Sequence, residues 1–163
     1  MNWPESWLLY ALAAAAACFI AIFVIWHFYG LGKAIQTGRA RELFSLQLER
    51  LEKEFLVQAS AGGLPRGLRW TSCEFSSDAE FARERQSGQI VALVSVTVRF
   101  EAVEDGDMAG LPAVPIPRQG SAVLRFNKGE WTTRGRVIFN LGPAQVLTHF
   151  ASDYELLHTR PVA

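Results

Sequence analysis

Catalytic and metal chemistry is concentrated in histidines, cysteines and clustered carboxylates, so the reading starts there. His27 lies in a long apolar stretch, His149 late in a short helical pattern, and His158 near the carboxyl end. No His-x-x-His, Cys-x-x-Cys or carboxylate–histidine spacing accompanies them, and such spacing is what a metal site requires. Cys18 falls inside the apolar stretch and Cys73 outside it. So placed, the two do not pair, and no intramolecular disulfide framework is expected. An unpaired Cys73 suits a reducing compartment. Without a placed histidine neighbour it reads as a buried small side chain rather than a nucleophile. Glu104, Asp105 and Asp107 around Gly106 offer hard oxygen ligands, but the distal carboxylate of a calcium loop is missing, so they read as an acidic turn. No Gly-rich phosphate loop, nucleophile elbow or general acid–base pair stands out. The expectation is a chain with no catalytic centre, no metal and no cofactor.

The arginines are more informative, because a hairpin positions them. Ala122, Leu124 and Phe126 alternate with Ser121, Val123 and Arg125, and after a turn Trp131, Thr133, Val137 and Phe139 continue the alternation. A two-residue Lys128-Gly129 loop sets Phe126 opposite Trp131 and Leu124 opposite Thr133. A three-residue loop would move Trp131 to the other face. The two-residue turn is therefore expected, with Gly129 at positive φ. In that register Arg125, Arg134 and Arg136 share the outer face of the sheet, with Arg99 beside them. They form a candidate basic surface for an anionic leaflet or an acidic partner. The plainer reading is an ordinary solvated face, balanced by Glu101 and Glu130. On the inner face, Trp70, Phe100, Trp131 and Phe139 are the candidate lining of a small-molecule pocket.

What holds these strands in place begins with Trp7–Tyr29, WLLYALAAAAACFIAIFVIWHFY, which contains no Asp, Glu, Lys or Arg. At about 1.5 Å per residue it would span roughly 34 Å as a helix, enough for a hydrocarbon core of about 30 Å. Trp3, Trp7 and Tyr10 mark one end and Trp26 and Tyr29 the other, as interfacial rings do. The stretch reads as a retained single-pass transmembrane helix. Residues 1–6 lack the basic start of a cleaved signal, and the apolar run is too long for one. Lys33, Arg39 and Arg41 follow it, whereas only Glu5 precedes it, so the positive-inside rule places the amino terminus outside and the rest in the cytoplasm, at a cell (inner) membrane. Ala13, Ala17 and Ala21 recur every fourth residue and form a candidate helix–helix face for self-association in lipid.

Gly30-Leu31-Gly32 is expected to relax the helix at the membrane surface. Beyond it Phe44, Leu48, Leu51 and Phe55 lie on one stripe, broadened by Leu43, Leu46 and Leu56. That stripe is too short for a coiled coil and is expected to pack on the protein's own sheet. Leu68–Phe75 reads as a strand, residues 77–85 fit helix or strand, and Ile90–Val103 alternates cleanly between an apolar and a wet face. Glu104–Gly120, with the prolines of LPAVPIP, reads as an extended loop. Pro143–Ala151 reads as a short helix and YELL as a last extended segment.

The fold class expected is α+β: transmembrane anchor (1–32), amphipathic juxtamembrane helix (33–62), then an antiparallel meander sheet with a short helix (63–163). A helix laid across such a sheet resembles the cystatin or nuclear-transport-factor-like cone, a likeness that carries no function. The formal net charge is zero, so no global field favours nucleic acid. The function expected is a membrane-anchored, non-catalytic domain that binds a protein partner or a second copy of itself. The alternative is a small-molecule-binding domain or enzyme with a pocket in the concave sheet face.

Overall fold

The computed structural model describes residues 6–62 and 67–157, excluding the side chains at 6–9 and 26–35. The chain divides into two compact units, Met1–Arg39 and Ala40–Ala163. Helix α1 (Ser6–Ala61) continues through Gly30-Leu31-Gly32 without the expected break. A glycine in a helix costs only about 1 kcal/mol against alanine, far less than a proline, so two of them need not end it. In the first unit every described side chain from Tyr10 to Ile25 is exposed. Among the described residues no helix is long and apolar enough to cross a membrane. The expected span, Trp7–Tyr29, has both its ends outside the described side chains.

The second unit is α+β with an antiparallel sheet. Strands β1 (Leu68–Glu84), β2 (Ile90–Ala102), β3 (Arg118–Asn127) and β4 (Glu130–Phe139) form a meander, followed by helix α2 (Pro143–His149) and strand β5 (Tyr154–Leu156). The order across the sheet is β4-β3-β2-β1-β5. Residues 77–84, open between helix and strand, belong to β1, which pairs with β2 at one edge and β5 at the other. The β3–β4 turn has the expected register, Phe126 opposite Trp131 and Leu124 opposite Thr133. Lys128 and Gly129 sit at φ 50° and 90°, the paired positive values of a type I′ turn that matches strand twist. The segment after Glu104 forms successive turns, such as Val114 N–H to the Leu111 carbonyl at 3.1 Å, rather than the extended path its prolines suggest.

From Ala40 onward α1 lies on the sheet. Ala40, Phe44, Leu51, Phe55 and Ala59 are buried with Val94, Val96, Val98, Leu124 and Trp131 in one core. Leu43, Leu48 and Leu56 pack at its margin. Leu46, expected in the stripe, is 76% exposed; it lies between the buried ridges of Phe44 and Leu51 and turns outward. Of the three irregularities in the strand pairings, at Trp70/Ser72, Phe75/Ala79 and Ala122/Leu124, the last two meet this helix. Ser76, Ser77 and Asp78 stand opposite Ser95 alone, between Phe75↔Val96 and Ala79↔Val94. The Phe75 N–H freed there donates to the Glu52 carboxylate of α1 at 2.7 Å. In β4, residues 134–136 stand opposite Val123 alone, between Leu124↔Thr133 and Ala122↔Val137. Gly135 has φ 67°, and a Cβ there would fall on the backbone of Gln58 and Ala59. Only glycine allows this approach, and such bulges bend a strand and sharpen its twist.

The outer face is not uniformly wet. Val91, Leu93 and Val123 are buried there beneath Val146 of α2 and Tyr154 of β5 in a second, smaller core. Gly142 caps α2, its N–H donating to the Gln145 side chain at 2.9 Å, with Pro143 in the first turn. At the far end of β2 the alternation holds, with Val98 and Phe100 buried and Arg99 and Glu101 exposed.

Candidate functional site

The rings proposed to line a pocket do not share one. Trp131 is 1% exposed, seated against Phe44, Phe81 and Phe126 at centroid distances of 5.4, 6.0 and 5.2 Å. Its indole N–H donates to the Ala40 carbonyl at 2.7 Å. Trp131 is therefore part of the plug that α1 drives into the sheet, and the concave face is filled there. Trp70, Phe100 and Phe139 cluster separately, with Trp70 4.8 Å from Phe100 and 6.4 Å from Phe139. Phe100 and Phe139 line an open apolar recess of about 350 Å³ with Met108, Leu111 and Arg118. Leu111 and Phe139 expose 47% and 40% of their surface there.

The basic residues divide in a similar way. Arg125 pairs across the hairpin with Thr132, and beyond the Leu124–Thr133 rung Val123 stands against Arg134-Gly135-Arg136. Arg125, Arg134 and Arg136 together line a recess of about 320 Å³, with Gln89, Asn127 and Thr132 completing its polar wall. Arg99 is not among them. Arg125 pairs with Val91 on β2, and eight residues of strand from there to Arg99 amount to about 26 Å. The distance along a strand was legible from the sequence, but the strand pairing that makes it matter was not.

Glu84, which the ambiguity over residues 77–85 kept from view, sits on the other side of Arg125. Its carboxylate accepts the Ser87 hydroxyl at 2.6 Å and the Arg125 guanidinium at 2.8 Å. The Ser87 hydrogen bond first, and Arg125 with it, hold the Glu84 carboxyl below the ordinary glutamate range, against the opposing cost of its partial desolvation. Beyond Glu84 a second recess of about 490 Å³ runs along Arg85, Arg136, Phe150 and Tyr154. Burial pushes the Tyr154 hydroxyl above its usual range.

Cys73 is buried, and burial, with Glu52 and Glu74 nearby, pushes its thiol up to about 11. A group so raised is protonated at neutral pH and is a poor nucleophile. The thiol donates to the Glu52 carbonyl at 3.4 Å instead. Glu104, Asp105 and Asp107 lie in the turns after β2, and among the described residues no group of three or more His, Cys, Asp or Glu is placed to hold a metal ion. Ala13, Ala17 and Ala21 are exposed along the first unit.

No family model, curated protein or solved structure matches the chain.

Proposed function

We propose that the chain is a single-pass membrane-anchored protein whose α+β domain is non-catalytic and binds a protein partner in a membrane-associated assembly. One observation carries the anchor. From Tyr10 to Ile25 the helix is apolar around its whole circumference and exposed around its whole circumference, with Phe19 76%, Ile22 66% and Ile25 65% open. In water such a helix would have no means of covering its surface, whereas in lipid it needs none. The apolar letters continue from Trp7 to Tyr29, which is the length a bilayer requires. Residues 1–32 are then the anchor, 33–62 the juxtamembrane helix and 63–163 the rest of the domain. Lys33, Arg39 and Arg41 put that domain in the cytoplasm.

The interaction role rests on how the concave face is used. Trp131 fills the concave face beneath α1 at its position, and the raised Cys73 thiol is a poor nucleophile. What remains open is surface: the apolar recess where Leu111 and Phe139 are exposed, a ring and an aliphatic side chain of the kind found at contact sites. A helix across an antiparallel meander is also how cystatin and nuclear-transport-factor-like cones are arranged, and that likeness adds nothing about function.

The test is topology in intact cells. A single cysteine at Ser152, in a full-length C18A/C73A background, is treated with a membrane-impermeant thiol reagent before and after lysis. Protection until lysis is the expected result. Labelling of intact cells overturns the orientation, and recovery of the chain in the soluble fraction overturns the anchor.

A further inference from the structure

We propose that the recess between Arg125, Arg134 and Arg136 is a binding site for a phosphoryl group. The proposal concerns the α+β domain alone, so it stands or falls separately from the membrane anchor.

The first argument is crowding. In a regular ladder Arg134 and Arg136 would occupy alternate rungs of β4, opposite two different residues of β3. The irregularity opposite Val123 instead sets both against one residue of β3, two residues from Arg125 and separated from its rung only by Leu124–Thr133. Three guanidinium groups are thereby gathered on one recess, and like charges brought together on a sheet face are destabilising; Glu84, paired with Arg125 and within the field of Arg136, offsets them only in part. The fold enforces this placement. Gly135, between the two arginines, is held at φ 67° where its backbone meets that of Gln58 and Ala59, and its N–H donates to the Thr133 hydroxyl at 3.0 Å. The core, through α1, sets where the two arginines emerge.

The second argument is unused donor capacity. Glu84 takes one terminal nitrogen of Arg125. The Arg125 Nε is buried with no hydrogen-bond partner. Arg134 and Arg136 form no close ion pair or side-chain hydrogen bond among the described residues. No carboxylate lines the recess, whose other polar walls are the neutral side chains of Gln89, Asn127 and Thr132. A monocarboxylate saturates one planar fork. A phosphoryl group has three oxygens and nearly two negative charges, and accepts from several guanidinium groups at once. Neutral amides and a hydroxyl at the rim can take a remaining oxygen or the group to which the phosphorus is attached. The phosphoryl group can belong to a soluble phosphorylated molecule or to a phospholipid headgroup.

The experiment uses the full chain in two settings, dodecyl maltoside micelles titrated with inorganic pyrophosphate and zwitterionic nanodiscs with or without phosphatidate. The readout is the ligand-dependent shift of the thermal transition, from which an apparent affinity follows. Stabilisation by pyrophosphate identifies a soluble ligand. Stabilisation by phosphatidate alone identifies the headgroup. In either case R134A/R136A should weaken binding at least about tenfold, as expected for lost charge-assisted hydrogen bonds. The charge-preserving pair R134K/R136K should weaken it several-fold, because a lysine cannot reproduce the fork. The charge-matched control R99A/R118A, outside the recess, should leave it unchanged. The proposal is overturned if neither probe stabilises the chain, if the control weakens binding as much as R134A/R136A, or if the lysine pair binds like wild type. The last two results would mean diffuse charge rather than a built site.

Discussion

Phe19 and Leu46 lie in the same helix, and each is 76% exposed. Their surroundings differ completely. Around Leu46 the helix is two-sided: Phe44, Leu51 and Phe55 are buried in the sheet while Arg50 and Glu54 pair at 3.2 Å on the solvated side. Around Phe19 there is no second side, since Leu12, Ile20, Ile22, Phe23 and Ile25 are all open. Helical geometry is common to the two segments, and under the membrane anchor proposed above the difference lies in the solvent each is built for. An amphipathic stripe is the solution in water, where a protein surface must cover the apolar face. An all-apolar cylinder is the solution in lipid, which covers every face itself. The exposed leucine at 46 is an ordinary solitary apolar side chain, whereas the exposed phenylalanine at 19 belongs to a continuous apolar surface.

The largest effect separating the two segments comes from charge. F19R/I22R should abolish carbonate-resistant membrane association, because each arginine at the centre of a span costs about 2.5–3.5 kcal/mol on insertion scales. Leu46→Arg should leave that association intact. Retention of F19R/I22R in the carbonate pellet would break the contrast. Truncation gives the opposite pattern. Phe55, fully buried, should cost the domain about 3–5 kcal/mol as Phe55→Ala in a denaturant titration in micelles. Phe19→Ala should stay within about 0.5 kcal/mol in the same assay.

A smaller and more local effect is expected at the point where α1 meets β4. Gly135→Ala combines positive φ with collision against Gln58 and Ala59, and should destabilise by about 2–3 kcal/mol. Gly129, at φ 90° with open space around it, should cost only about 1 kcal/mol as Ala. Equal losses would mean that the close approach of helix and strand contributes nothing. The smallest effect is pH-dependent. The Glu84 carboxyl is more acidic folded than unfolded, so its contribution is present above the ordinary value of 4.5 and fades as pH falls through the lowered folded value. An acid titration of stability should therefore be shallower in Glu84→Gln than in wild type, with the two converging at low pH.

Much of this was legible from local pattern. The β3–β4 register followed from Lys128-Gly129 and the alternation around it, because turn length and facing residues determine each other. The Phe44–Leu51–Phe55 stripe of α1 and the alternation at the Val98–Glu101 end of β2 followed from period, whereas exposed Leu46 and the buried Val91 and Leu93 on the outer face did not. The missed features depend on contacts distant in sequence. Residues 77–84 are strand because β2 and β5 flank them, which FARER cannot announce by itself. Gly135 in a strand pattern is a recognised sign of a bulge or close approach, yet its partner, Ala59, is far away in the chain. Trp131 alternates as neatly as Phe139, and only the path of α1 decides that one is a plug and the other a rim. Arg125, Arg134 and Arg136 share one recess while Arg99, expected beside them, lies far along β2, and the concentration of the three depends on the irregularity that Gly135 permits. The Glu84 partnership of Arg125 depended on the pairing of β1.

The most direct test of the two-solvent account places a nitroxide spin label at position 19 or 46 of the full chain, through F19C or L46C in the C18A/C73A background, reconstituted in bilayers. Collision with dissolved oxygen and with a water-soluble nickel chelate is then compared at the two sites. The account predicts that the label at 19 meets oxygen and is shielded from nickel, while the label at 46 meets nickel readily. Equal access of the nickel chelate to both labels would contradict it, because the segment from Tyr10 to Ile25 would then lie in water.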